Sequence, residues 1–189
     1  GVLQAAYLVY DNQKTPLINN LIADKPNYKS IIIFTSTKKK VNEIVRGLKG
    51  KGYTVEGISS DLEQSEREAM LGRFRSKKTR VLVSTDVLSR GIDIKDINLV
   101  INYDVPHDAE DYVHRIGRTA RADTTGVALT LINEDEMYNF DKIEKLIERI
   151  VVKAPLPPKL GEGPEWTLKR KFHSNKKGFR GKGKFNKRR

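Results

Sequence analysis

The stretch that decides the fold is SIIIFTS, residues 30–36, in which four apolar residues follow one another without a polar interruption. Strands with one solvated face alternate apolar and polar residues, whereas strands covered on both faces are apolar throughout. The run therefore predicts a buried strand inside a parallel sheet. It ends in Thr35 and Ser36, two small polar residues that follow the carboxyl end of that strand.

Strand and helix patterns alternate on both sides of this run. Further strands are predicted from AAYLVYD, TVEGIS, RVLVST, INLVINYDV and GVALTLIN. Helices are predicted over residues 16–23, 41–48, 64–74 and 134–150, where apolar residues recur every three or four positions, and a short helix is predicted to open at Asp108. This alternation predicts an α/β fold, with a mostly parallel sheet and helices on both faces.

Polar residues follow three of the predicted strands directly. They are Thr35–Ser36, Ser59–Asp61 and Ser84–Asp86. Parallel sheets bind their ligands at the carboxyl ends of the strands, so we expect these residues to lie at a functional edge.

The charge of the chain is concentrated at one end. The 189 residues carry a net charge of +12, of which residues 151–189 supply 13 Lys and Arg against 2 Asp and Glu. The body is predicted over residues 1–153, and residues 154–189 are predicted to form a Pro-rich connector and a flexible basic tail. Phe172, Phe179 and Phe185 lie among the basic residues, which favours nucleic acid as the partner; a solubilising tail is the alternative.

Composition also excludes several classes of protein. The chain has no cysteine, which excludes disulfides and zinc–thiolate sites. No run of about 18 apolar residues is present, so no membrane-spanning segment is predicted.

The segment VSTDVLSRGIDI, residues 83–94, has features of a nucleotide or nucleic-acid contact. Thr85 offers a hydroxyl to a phosphate oxygen, Gly91 permits close approach of the backbone, and the Asp93 carboxylate accepts from a sugar hydroxyl. An ordinary strand, turn and helix with Asp86 as the cap remains an equal alternative.

The segment HRIGRTAR, residues 114–121, places Arg115, Arg118 and Arg121 three residues apart. Guanidinium groups match phosphate oxygens in bidentate geometry and stay charged, which predicts a phosphate-bearing ligand. Salt bridges to neighbouring acidic residues are the alternative. The chain has no GxxxxGK[ST] phosphate loop and no obvious acidic pair for magnesium. Arginines that act on a phosphate held elsewhere are typical of an arginine finger.

Five segments resemble one known family in their order and spacing. IIIFTST, SSDLEQSERE, VSTDVLSRGIDI, VINYDVP and YVHRIGRTAR are similar to the second RecA-like lobe of a DEAD-box ATP-dependent RNA helicase, from Tyr7 to about Ile150. The closing run and basic tail look most like the bacterial RhlE type. The resemblance implies a RecA-like three-layer sandwich.

The resemblance also implies roles for individual residues. It implies that Arg118 and Arg121 reach the γ-phosphate of ATP, that His114 and Arg115 join the lobes near the phosphates, and that Asp93 contacts the ribose. The residues that it implies for the RNA backbone path are Thr35, Gln64, Arg67, Thr85, Asp86, Arg90 and Gly91. The chain departs from the family at Ser59-Ser60-Asp61, where His-Gly-Asp is common, and at Ala120, where glycine is common.

The activity that the resemblance implies needs a partner lobe. A first lobe of the parent protein would hold ATP and Mg²⁺, and no metal ligand is assigned to this chain. We therefore expect this chain alone to be inactive, the joined protein to unwind short RNA duplexes with weak sequence preference, and its location to be cytoplasmic. A DNA-directed helicase and a non-enzymatic RNA-binding module remain alternatives.

Overall fold

A computed structural model describes residues 1–85, 94–120 and 125–168 of the chain. In this part, seven strands form one sheet, and five α-helices pack against it. The strands are β1 (Val2–Leu8), β2 (Ile31–Phe34), β3 (Val55–Ile58), β4 (Val81–Ser84), β5 (Leu99–Asn102), β6 (Gly126–Ile132) and β7 (Val152–Lys153). The helices are α1 (Asp11–Ala23), α2 (Lys38–Gly50), α3 (Gln64–Arg75), α4 (Ala109–Ile116) and α5 (Met137–Ile147), with 3₁₀ turns at Gly117–Thr119 and Pro158–Leu160.

The sheet is parallel at every described strand pair, in the order β3-β4-β2-β5-β6-β1-β7. Strand β2, which contains the apolar run, lies between β4 and β5, and its four residues are buried. The predicted buried strand and parallel sheet are therefore confirmed. Because the strands run the same way, their ends form two opposite edges, here called the carboxyl edge and the amino edge.

The two faces of the sheet carry separate cores. Ile31 and Ile33 of β2 pack in a core with residues of α1 and α2. Ile32 and Phe34 point the other way and pack with Leu71 of α3. Helices α4 and α5 contribute Tyr112 and Phe140 to a third cluster over β1 and β6. The alternation of side chains along each strand thus produces the predicted three layers.

Two helices differ from their predicted bounds. Helix α1 begins at Asp11 rather than at Pro16, because Gln13 Oε1 accepts the Tyr10 backbone N–H at 2.9 Å and caps an earlier turn. Helix α5 spans Met137–Ile147 rather than residues 134–150, because Glu148 takes a left-handed backbone with φ of 53°. Leu146 and Ile150, two apolar residues of the predicted range, are 47% and 84% exposed.

Residues 154–168, here called the strap, pack against the body. Ala154 N–H donates to Ala6 O at 2.7 Å. Gln13 Nε2 of α1 donates to the carbonyls of Leu160 and Glu162, both at 3.0 Å. A Cβ on Gly163 would lie 2.1 Å from Leu8 O, so only glycine permits this approach to the carboxyl end of β1. These contacts attach the strap to the body.

The strap passes from one face of the sheet to the other. Leu156 and Leu160 pack against the core under α1 and α2. Trp166 packs edge-on to Phe140 of α5, with ring centroids 6.4 Å apart, and Lys153 Nζ lies 4.4 Å from its ring. The prolines favour the predicted extended backbone. The apolar side chains of the strap pack against the body and keep the strap in contact with it.

Replacing Trp166 with alanine is expected to lower the free energy of unfolding by about 2 kcal/mol, because the half-buried ring loses contacts to Phe140 and Lys153. Urea denaturation followed by circular dichroism measures this change. The matched control is Tyr138→Ala, which removes a 45% exposed aromatic ring from the same region of α5. Equal stability changes in the two variants would show that strap docking does not stabilise the body.

Within the described residues, no helix is long and apolar enough to cross a membrane. The basic residues 169–189 lie outside the described part of the chain, so the prediction of a flexible tail stays a prediction.

Candidate functional site

The carboxyl edge brings several predicted site residues into one row. Ile58 of β3 and Phe34 of β2 both lie in register with Ser84 of β4. These three neighbouring strands therefore end next to one another at the carboxyl edge. Thr35 N–H donates to Ser84 O at 2.9 Å, which fixes the first residue after β2 against β4. Thr85 follows Ser84 and is half-buried. Helix α3 then begins at the same edge, because it follows β3.

Thr35 is fully buried, and the expectation that it lies near an RNA path stays a prediction. Its Oγ1 donates to Asp104 Oδ2 at 2.6 Å, and the Ser36 backbone N–H donates to the same oxygen at 2.8 Å. Thr35 therefore positions the loop after β2 and presents no surface to a ligand. The exposed residues of this loop are Ser36, Thr37 and Lys38.

Asp104 is the centre of a buried ionic cluster at the carboxyl edge. Its Oδ1 accepts from Lys40 Nζ at 3.0 Å and from Lys14 Nζ at 3.4 Å. Burial alone would raise the pKa of this carboxyl, but the hydrogen bond from Thr35 and the charges of Lys14 and Lys40 hold its pKa well below the usual range. These contacts therefore favour the ionised form of Asp104 in the folded protein.

Lys14 is the cation at the inner side of this cluster, with only 1% of its side chain exposed. Its Nζ lies 3.0 Å from Glu136 Oε1 and donates to Tyr103 O at 2.8 Å. Burial acts to lower the pKa of Lys14, but the nearby Glu136 and Asp104 carboxylates raise it overall. The cluster thus connects α1, the end of β5 and the turn before α5.

Gln64 and Arg67 lie on the first turn of α3. Gln64 is exposed, and its Nε2 donates to Glu68 Oε1 at 3.2 Å. Arg67 is half-buried, and its Nε has no hydrogen-bond partner in the part of the chain that the structure describes. A buried guanidinium N–H without a partner is an available donor for an anion.

Ser59 and Asp61, which depart from the family pattern, lie in the same region. Asp61 contacts the Lys38 ammonium group across the gap between the β3 and β2 loops, and Ser59 is half-buried. Both partners of the ion pair are more than half exposed, so it contributes little stability.

The HRIGRTAR segment reaches the opposite, amino edge. Thr119 is fully buried there, because its Oγ1 donates to Ile97 O at 2.6 Å and accepts the Val127 N–H at 3.1 Å. A Cβ on Gly126 would lie 1.7 Å from Thr119 O, so β6 starts in direct contact with this turn. The four-residue strand β5 separates the two edges by about 13 Å.

Within the described residues of the segment, His114 is exposed and Arg118 is half-buried. The Arg118 carbonyl accepts the Ile97 N–H at 3.2 Å, and its side-chain Nε donates to His114 O at 3.3 Å. The His114 side chain is 47% exposed, and its Nδ1 lies 3.9 Å from Asp111 Oδ1. The backbone of Arg118 is therefore fixed to the segment that follows residue 93.

Arg115 is buried, whereas Arg118 is half-buried, and the expected role of Arg115 near the phosphates stays a prediction. It is 1% exposed, and its guanidinium donates to Asp104 O at 2.9 Å and to Asn102 Oδ1 at 3.3 Å. The guanidinium also lies 5.2 Å from the Phe34 ring centroid. Helix α4 ends at Ile116, so Arg115 and Arg118 do not share a helix face. Through these contacts, Arg115 links α4 to the sheet.

Several predicted site residues lie outside the described part of the chain. They are Asp86, Arg90, Gly91, Asp93 and Arg121. Sequence reasoning missed Asp104 and Lys14. Asp104 follows a buried strand, as the other candidates do, and that rule could have found it. No local signal indicates that Lys14 is buried.

Comparison with known proteins gives one consistent family. A family model described as "Helicase conserved C-terminal domain" matches residues 13–123. The chain is 39% identical over 164 residues to the DEAD-box ATP-dependent RNA helicase CshA of Geobacillus kaustophilus, which covers 86% of this chain and 35% of that protein. The chain thus spans about a third of the length of the curated relatives it matches.

Solved structures show the same architecture. The E. coli DEAD-box protein SrmB, bound to regulator of ribonuclease activity A, is 30% identical with a TM-score of 0.77, over 87% of this chain and 97% of that one. S. cerevisiae Dbp5 bound to RNA and ADP BeF3 is 31% identical with a TM-score of 0.74, over 82% of this chain and 41% of that one. The predicted RecA-like fold is therefore confirmed.

Proposed function

Because the chain belongs to the DEAD-box RNA helicases, whose C-terminal helicase domain it forms, we propose that it is the second lobe of an ATP-dependent RNA helicase. Its amino edge contributes arginines to an ATP site, and its carboxyl edge contacts RNA. The observation that carries this proposal is the anchoring of Arg118. Its backbone is bonded to Ile97 at the amino edge, while the accessible RNA candidates lie at the opposite edge.

Arg118 and Arg121 are the proposed arginine fingers. A guanidinium group binds two phosphate oxygens at once, and a group fixed before the reaction needs no reorganisation to stabilise the developing charge. Such a residue contributes on the order of 10³–10⁵ in rate. His114 lies beside Arg118 and is proposed to join the lobes, and Asp93 is proposed to contact the ribose. Arg115 acts only as a positioning residue, since its guanidinium is buried.

The first lobe of the parent protein is proposed to hold most of the ATP together with its Mg²⁺. Among the described residues, no group of three His, Cys, Asp or Glu side chains is arranged to hold a metal ion. The Asp104 carboxylate already accepts from Lys14, Lys40 and Thr35. The donor set of the described part therefore does not fit a magnesium site.

RNA is proposed to bind along the carboxyl edge. Gln64 and Arg67 open α3 at this edge, and the unpartnered Arg67 Nε supports a phosphate contact. Thr85, Asp86, Arg90 and Gly91 extend the proposed path. Contacts to phosphates and 2′-hydroxyl groups carry little sequence information, so sequence preference should be weak. Closure of two lobes around one strand would open short duplexes by local strand separation.

The basic tail is proposed to add affinity for the same RNA. Thr167 N–H donates to Met137 Sδ at 3.3 Å, and Met137 starts α5, which follows β6 at the carboxyl edge. The strap therefore delivers residue 168 to the edge where RNA is proposed to bind. Lysines and arginines that contact phosphates give salt-sensitive, sequence-independent affinity.

Two finer assignments are also proposals. The run from DVLSRGIDI to HRIGRTAR, with its Pro-rich link and basic tail, favours the bacterial RhlE type within the family. The proposed location of the parent protein is the cytoplasm.

The experiment that tests the proposed substrate compares RNA with DNA. This chain is joined to a first lobe, and ATP hydrolysis is measured with an RNA strand and with a DNA strand of the same sequence. RNA is expected to stimulate hydrolysis about tenfold or more above DNA, because the proposed path reads 2′-hydroxyl groups. Equal stimulation would favour a DNA-directed helicase, and no stimulation by either strand would favour a binding module.

A further inference from the structure

A second basic feature of the amino edge lies apart from the HRIGRTAR arginines. A pocket opens between the α3–β4 connection and the segment that precedes β5. It is here called the α3–β4 pocket. Its lining includes the cationic residues Arg75, Lys77 and Lys95, the carboxylate of Asp96 and the hydroxyl of Ser30. Among the described lining residues, three side chains are cationic and one is a carboxylate, so this part of the pocket has a positive balance.

Ser30 is the strongest sign that the pocket is built for a ligand. The residue is 1% exposed, and it lines the pocket just before β2. Its Oγ is buried and has no hydrogen-bond partner within the described ranges. Buried hydroxyls are nearly always paired, because an unpaired one loses its bonds to water without replacement. A hydroxyl in this position among cationic side chains can donate to an anionic oxygen.

Lys77 is held in an unusual backbone conformation at the same pocket. It follows the C-cap of α3 with φ of 66°, in the left-handed region where glycine is the usual residue. Asp96, across the pocket, has φ of 61°. These are two of the three non-glycine residues with positive φ in the described part of the chain. Lys77 lines the pocket in a backbone conformation that would suit glycine.

We propose that the α3–β4 pocket binds a phosphate ester group. Lys77 supplies a positive charge and N–H donors, and Ser30 supplies an O–H donor. The pocket is distinct from the Arg118 half-site, although Ile97 borders both. Two sources share this chemistry: a free phosphorylated small molecule such as a nucleotide, and a backbone phosphate of RNA.

Residue-resolved NMR of the 189-residue chain tests the proposal without interference from the basic tail. Sodium pyrophosphate is titrated at constant ionic strength, and the amides of Lys77, Lys95 and Ile97 are followed. These amides are expected to shift saturably. Lys77→Gly should weaken the affinity by about tenfold, because it removes one charged donor while glycine suits the left-handed backbone. Ser30→Ala should also weaken it, and the control Lys39→Ala should leave it unchanged.

Two further arms identify the source and exclude the neighbouring site. Saturable shifts of the pocket amides with ADP but not with hexauridylate assign the pocket to a free phosphorylated molecule, and the reverse assigns it to the RNA backbone. The proposal is overturned if the pyrophosphate shifts remain unchanged in Lys77→Gly. If these unchanged shifts are spread over all lysine-bearing surfaces, the anion is an adventitious ion only. If Arg118→Ala abolishes them, the anion binds at the arginine half-site.

Discussion

Replacing Arg118 with alanine, in a protein that joins this chain to a first lobe, is expected to slow RNA-stimulated ATP hydrolysis by about two orders of magnitude or more. Arg121→Ala should have an effect of the same size. The structure fixes the backbone of Arg118 through Ile97 and the following turn through Thr119, so alanine removes the guanidinium and leaves its support in place. The loss should appear in kcat, with RNA affinity retained.

Two other arginines serve as controls for this result. Arg46 is exposed on α2, away from the HRIGRTAR turn, and Arg46→Ala should leave hydrolysis unchanged. Arg115→Ala removes a buried guanidinium that packs on Phe34 and bonds Asp104 O, so it should lower stability first. If Arg118→Ala and Arg121→Ala both hydrolyse ATP at the unmodified rate, these arginines are structural, and the chain is better described as a binding module.

Asp104→Ala is expected to lower the free energy of unfolding by about 3 kcal/mol at neutral pH, because it leaves Lys14 buried without one of its carboxylate partners. It also removes the acceptor for Thr35 Oγ1 and Ser36 N–H. Urea denaturation of the 189-residue chain measures the change. The control is Asp61→Ala, which breaks an exposed ion pair with Lys38 and should cost less than about 1 kcal/mol.

The pH dependence of this difference follows from the lowered pKa of Asp104. A carboxyl whose pKa is lower in the folded state stabilises the protein fully above its unfolded pKa of about 3.9. That stabilisation disappears as the pH falls through the folded pKa, when the carboxyl becomes protonated. The difference in the free energy of unfolding between the unmodified chain and Asp104→Ala should therefore become smaller below about pH 4. A difference in the free energy of unfolding that stays constant down to pH 2 would contradict the assigned cluster. So would a loss of stability in Asp104→Ala at pH 7 that is no larger than the loss in Asp61→Ala.

The parts of the fold that the sequence predicts depend on signals within a few residues. The uninterrupted apolar run of β2 predicts a central strand, and Asp108 predicts the start of α4, where its Oδ1 accepts the Glu110 N–H at 3.0 Å. Both predictions are confirmed, since burial pattern and capping act locally. The same local reasoning places three strand ends on one edge and so finds the surroundings of the carboxyl-edge site.

The parts that the sequence misses depend on partners far along the chain. Lys14 is buried because it meets Asp104 and Glu136, 90 and 122 residues away. The even spacing of the HRIGRTAR arginines suggests equivalence, but α4 ends between Arg115 and Arg118. Of these two described arginines, Arg115 is buried and Arg118 is half-buried. The strap has the composition of a linker, and only its contacts to Gln13, Leu8 and Phe140 make it part of the body.

The central claim is that this lobe supplies one half of an ATP site and is incomplete alone. The most direct test measures ATP turnover, with saturating RNA and Mg²⁺, by this chain, by a first lobe that carries a phosphate loop, and by the two joined. We expect turnover only from the joined lobes, at least about a hundredfold above either part, because the arginines act on a nucleotide held by the other lobe. Turnover by this chain alone, or a first lobe as fast as the joined protein, would contradict the claim.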